Sequence, residues 1–98
     1  MYRERIVLHT RYGASVKAVE MLKKINEMSA KYGAPKAQIL QGVSGRQGTF
    51  IFEREFDSFD QFIQTHRRLT GSDEFRQWFP EFQAIMDFGA QEYFTLIE

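Results

Sequence analysis

The 98-residue chain contains no cysteine, which excludes disulfides, zinc ribbons, iron–sulfur sites and thiol nucleophiles built within it. Net charge is also lacking. Thirteen basic side chains stand against thirteen acidic ones, so the electrostatic footprint that drives counterion release from a nucleic-acid backbone is missing, and no nucleic-acid partner is expected. Apolar runs are far shorter than a membrane span. Met1-Tyr2-Arg3-Glu4-Arg5 leads into a strand-length segment rather than a signal-peptide core, so no membrane partner is expected and the cytoplasm is the expected compartment. There is no long low-complexity tract and no internal repeat. With two histidines and one asparagine, the chain carries no metal-ligand spacing, and neither a metal nor a cofactor is implied.

What is present is an ordinary globular composition, 43% hydrophobic and 27% charged, with all ten phenylalanines at or beyond position 50. Residues 1–98 read as one domain. A chain of this length buries only roughly 60–70% of its unfolded surface and gains from a partner subunit, which makes self-association a natural expectation.

The hydrophobic periods follow the order strand, helix, strand, strand, helix, strand. Ile6-Val7-Leu8 centres a strand from about Glu4 to Thr10, its consecutive apolar residues suggesting that both sheet faces are covered. Ala14, Ala18, Met21, Leu22, Ile25, Met28 and Tyr32 share one face of a helix over about 14–31, with Lys17, Glu20, Lys24, Glu27 and Lys31 opposite. Gly33 suits a left-handed cap, and Pro35 forbids continuation. Lys36–Val43 and Thr49–Phe56 alternate as strands and read as a hairpin joined by a glycine-rich loop.

Ser58 and Gln61 form a capping-box pattern opening a helix whose face carries Phe59, Phe62, Ile63 and His66. Ser72 caps a further stretch bearing Phe75, Trp78, Phe79, Phe82, Ile85 and Met86. Pro80 inside it predicts a kink or restart, and Gly89 is placed to end it. Gln91–Ile97 completes the set as the last strand. Bulky apolar residues on both strand faces leave one face uncovered by helices. A two-fold dimer with the two sheets facing each other closes it most simply.

Arg11-Tyr12-Gly13 before the first helix, Lys31-Tyr32-Gly33-Ala34-Pro35 after it, Gly48–Phe56 running into Asp57-Ser58-Phe59, Asp73-Glu74-Phe75-Arg76-Gln77-Trp78-Phe79, and Gly89 before Glu92-Tyr93-Phe94 together carry a resemblance. Over nearly its whole length the chain resembles the dimeric α+β barrel superfamily, which includes the NIPSNAP-like and antibiotic-biosynthesis-monooxygenase-like proteins. The resemblance implies an α+β, ferredoxin-like βαββαβ sandwich with a four-stranded antiparallel sheet, paired as a homodimer. It constrains architecture more than reaction, since members range from cofactor-free oxygenases and haem-degrading enzymes to proteins with no known activity. Haem degraders use an asparagine, a tryptophan and a histidine in separate elements. Here the one asparagine, Asn26, is expected at the solvent edge of the first helix, and no histidine follows Trp78.

Five residues are candidates for a site. His66, on an apolar face, is either a pocket base or a hydrogen-bonded rim histidine, and His9 points either into a pocket or into the dimer seam. Arg54, among Phe50, Phe52 and Phe56, needs an anionic partner: an intersubunit carboxylate or an anionic ligand. Trp78 and Tyr93 either stack a planar ligand or belong to the core. Glu53 and Glu55 on one strand face read as a solvated stripe or intersubunit salt bridges, and Arg67-Arg68 as a helix end. Gly42, Gly45 and Gly48 with Arg46 read as a flexible loop rather than an anion nest. Two functions remain open. One is a non-catalytic or regulatory homodimer whose small cavity binds a small apolar or aromatic ligand or nothing. The other is a cofactor-independent monooxygenase acting on an aromatic or polyketide-like substrate, with His9 or His66 removing a proton and Tyr93 or Arg54 stabilising the resulting anion.

Overall fold

The computed structural model describes residues 1–45 and 47–97, and the side chain of Phe88 is not described. Arg46 of the glycine-rich loop therefore lies outside the described residues. The elements run β1 (Tyr2–Thr10), α1 (Ser15–Ala30), β2 (Gln38–Gln41), β3 (Thr49–Phe56), α2 (Phe59–Thr70), α3 (Asp73–Ile85) and β4 (Met86–Thr95). The four strands form one antiparallel sheet in the order β2-β3-β1-β4, so the first and last strands lie side by side.

Alternation along the strands decides which residues meet the helices. Leu8, Phe50 and Phe52 point from the sheet into a core with Ala18, Met21, Leu22, Ile25 and Met28 of α1, Leu69 of α2 and Trp78 of α3. A smaller cluster of Ala34, Phe56 and Phe62, flanked by Tyr2 and Ile63, closes the end nearest the chain start. Among the described residues, no helix covers the opposite sheet face. There Arg3 pairs with Glu55, and Arg5 bonds Glu53 at 2.9 Å, each across the β1–β3 register. Glu53 and Glu55 thus find their cations within their own sheet, and the Arg3–Glu55 pair is half-exposed, as a solvated stripe would be.

Local chemistry sets the helix ends. Ser58 Oγ accepts from the Gln61 N–H while Gln61 Oε1 accepts from the Asp57 N–H, and Ser72 Oγ accepts from the Phe75 N–H. Gly33 takes φ +89°, which turns the chain out of α1 as the Ala34 N–H returns to the Ser29 carbonyl at 3.2 Å. Asn26 is not a solvent-edge residue. Its side chain donates to the Ala37 carbonyl and accepts from the Ala37 N–H, clasping the segment that leads into β2.

The helix around Pro80 and the start of the last strand differ most from the sequence expectation. The helix carrying Pro80 continues from Asp73 to Ile85 without restarting, and Pro80 is exposed, so the Arg76 carbonyl that loses its partner is open to water. β4 begins at Met86, five residues before the expected start, and Gly89 is a strand residue paired with Leu8 rather than a helix stop. The pairing needs glycine there, because a Cβ at position 89 would lie 2.9 Å from the Val7 carbonyl oxygen.

Candidate functional site

Between the helix-facing side of the sheet and α3 lies a cavity of about 540 Å³, a volume suited to a small organic ligand. Its apolar walls come from two directions. Leu22 and Ile25 of α1 and Phe75, Trp78, Phe79 and Phe82 of α3 form one side, and Ile6, Leu8 and Phe52 of the sheet form the other. Helical spacing places the α3 aromatics on one stripe, where Trp78 stacks on Phe82 with ring centroids 4.5 Å apart. The Trp78 indole N–H donates to the Met21 carbonyl at 3.0 Å, which fixes the buried indole between α1 and α3. Trp78 is thus both a core residue and a wall of the cavity.

A connected group of polar side chains marks one end of the cavity. Glu4 of β1 and Arg54 of β3 oppose each other in the register, are 3% and 9% exposed, and pair through Arg54 Nε and Glu4 Oε1 at 2.8 Å. Arg54 Nη1 donates to Ser29 Oγ at 2.8 Å, and that hydroxyl donates to the Asn26 carbonyl at 3.2 Å. The guanidinium carbon sits 5.2 Å from the Phe52 ring centre and 5.1 Å from that of Phe56, its strand neighbours on the same face. Arg54 therefore has its carboxylate within its own chain. The expected intersubunit salt bridge is replaced by a buried pair between adjacent strands, which is strongly favoured over either ion left alone.

Tyr93 of β4 lies beside this pair, opposite Glu4 in the β1–β4 register, and its hydroxyl donates to Gln91 Oε1 at 3.2 Å. Burial, and secondarily the negative charge of Glu4, push the Tyr93 phenol above its ordinary value, partly offset by Arg54. Its ring stacks on Tyr2 at 5.7 Å and lies 5.2 Å from Phe62. His66 stacks on Phe62 at 5.4 Å and lines the exposed rim of the cavity.

Of the sequence candidates, the cavity brings together Arg54, His66, Trp78 and Tyr93. His9 is not among them. It faces the helix-free side of the sheet, where its Nδ1 lies 3.1 Å from Thr49 Oγ1. Glu4 and Gln91 were not singled out. Glu4 had a readable signal, since period-two alternation puts it on the same face as Ile6 and Leu8, an acid in an otherwise apolar row. Gln91 had the same signal, sharing the face of Tyr93 by alternation, and Gly89 joins the lining because β4 starts earlier than expected. Among the described residues, no group of histidine, aspartate and glutamate side chains is placed to hold a metal ion.

Comparison with protein-family models and with curated proteins gives no match. Solved structures do match. A NIPSNAP domain protein from Burkholderia xenovorans superposes with a TM-score of 0.81 at 12% identity, covering 99% of this chain and 95% of its own. A NIPSNAP family protein from Agrobacterium tumefaciens gives 0.83 at 11% identity, with 99% and 93% covered. An antibiotic biosynthesis monooxygenase gives 0.76 at 12% identity, with both chains covered completely. At these identities the likeness shows the fold, and the α+β, ferredoxin-like architecture is the one that NIPSNAP proteins and antibiotic biosynthesis monooxygenases share, as the sequence resemblance implied.

Proposed function

We propose that the protein is a homodimer that binds a small, largely planar apolar or aromatic molecule in the cavity between the sheet and α3. The observation that carries this reading is the division of the lining: aromatic and aliphatic walls along its length, and a cluster of hydrogen-bonding groups, Glu4, Arg54, Gln91 and Tyr93, at one end. Such a lining removes apolar ligand surface from water at about 25 cal/mol per Å² while the polar end fixes orientation. Self-association would cover the helix-free sheet face, and the absence of cysteine suits a reducing cytoplasm.

The monooxygenase alternative would use the same cavity. It draws less support, because one of its two proton acceptors, His9, lies on the other side of the sheet, leaving the rim residue His66.

Titration with the neutral dye N-phenyl-1-naphthylamine tests the cavity. Saturable fluorescence enhancement is expected for the wild type and its loss in Gln91→Trp, where an indole at an exposed lining position fills the space without disturbing the core. Equal, unsaturable signals from both proteins would refute the binding site.

A further inference from the structure

The charge state of the polar end selects among ligands, and this deepening of the function rests on the cavity being a ligand site. An arginine in an aromatic cavity is ordinarily a clamp for carboxylates. In this cavity, however, the charge of Arg54 is already matched by Glu4 and part of its donor fork is engaged. Its Nε is committed to Glu4, its Nη1 to Ser29, and Phe52 and Phe56 flank its guanidinium. An incoming carboxylate would have to displace Glu4 from a buried pair or share the cavity with it, and the second arrangement sets two like charges side by side away from bulk water.

Beside Arg54, this end of the cavity also presents acceptor atoms to a ligand. An ionised carboxylate has about four lone-pair sites, of which the Arg54 Nε bond takes one, and Glu4 lines the cavity. Gln91 offers its carbonyl oxygen beside it, already oriented by the Tyr93 hydroxyl. We propose that the cavity selects neutral aromatic molecules bearing a hydroxyl, phenols or enols, whose O–H donates to the Glu4 carboxylate, and that it rejects aromatic carboxylates. Glu4 is the specificity-determining residue, and Arg54 is its positioning residue.

Three ring-matched probes at neutral pH separate the possibilities: 1-naphthol, which donates; 1-methoxynaphthalene, which does not; and 1-naphthoate, which is anionic. Calorimetric titration reads affinity. The single indole N–H resonance of Trp78, the chain's only tryptophan, reports by NMR that binding is in the cavity.

The wild type is expected to bind 1-naphthol about tenfold more tightly than 1-methoxynaphthalene, the scale of one hydrogen bond to a charged acceptor, and to show no saturable binding of 1-naphthoate. In Glu4→Gln the order is expected to reverse, because a freed Arg54 then accepts the carboxylate. If Glu4→Gln does not fold, the wild-type series decides alone. Equal affinities for the two neutral probes, or tightest binding of 1-naphthoate by the wild type, would overturn the selection while leaving the cavity as a ligand site. Failure of all three probes to bind would overturn the ligand site and the selection together.

Discussion

Tyr93 is held in its neutral form by the protein around it: burial first, then the nearby carboxylate of Glu4. Its pKa is raised in the folded state, so its contribution to stability is fully present below the ordinary phenol value near 10 and is lost as the pH rises through the higher folded value. Alkaline unfolding followed by circular dichroism is therefore expected to be shallower in Tyr93→Phe above pH 10, and unchanged at neutral pH. A Tyr93→Phe curve parallel to the wild type would show that the phenol does not feel the buried pair.

Tyr93 and Arg54 were legible from alternation within their own strands, and His66 and Trp78 from helical spacing. Glu4 was missed as their companion because its significance depends on which residue stands opposite it. Cross-strand register is not written in the period of either strand. The same limit left His9 undecided between two faces until its pairing with Thr49 placed it on the helix-free one.

Among the elements, α3 goes furthest against local propensity. Pro80 lies in its interior, yet the helix continues to Ile85, because the stripe of Phe75, Trp78, Phe79 and Phe82 is anchored against α1 and the sheet and the residue itself faces solvent. Packing outweighs a local cost of about 3 kcal/mol for an interior proline. Replacing it should recover part of that cost: Pro80→Ala is expected to raise the unfolding free energy by about 1–3 kcal/mol in urea melts, with little change in slope. A destabilised Pro80→Ala would mean that the ring itself packs against the molecule.

The order of elements was readable because α2 and α3 each start at a serine cap and each helix face carries its own period. The start of β4 was not, because Met86 and Gly89 fit the tail of a helix as well as the head of a strand. The pairing of Leu8 with Gly89, seen only in the assembled sheet, resolves it.

For the whole molecule, the helix-free sheet face is the feature left uncovered in a single chain. Leu40, Ile51, Val7 and Ala90 form a row across all four strands through successive pairings, and Leu40 is 46% exposed. The flanking Arg3, Arg5, Glu53 and Glu55 are already paired within the sheet, which lowers the cost of covering this face. If it is the dimer seam, sedimentation velocity should give twice the mass of one chain for the wild type and a monomer for Ile51→Lys, whose ammonium would be buried opposite its own symmetry copy. A monomeric wild type would refute the sheet-to-sheet arrangement.

The adjacency of β1 and β4 also bears on how the protein comes into being. The polar end of the cavity draws Glu4 from the first strand and Gln91 and Tyr93 from the last. Contacts between such distant parts of the chain close late, since the loop entropy is lost before they form. A nascent chain can gather α1, β2, β3 and their core while Glu4 waits for its last neighbours. The polar end of the cavity is thus completed only when β4 docks against β1, after the rest of the sheet can already be in place.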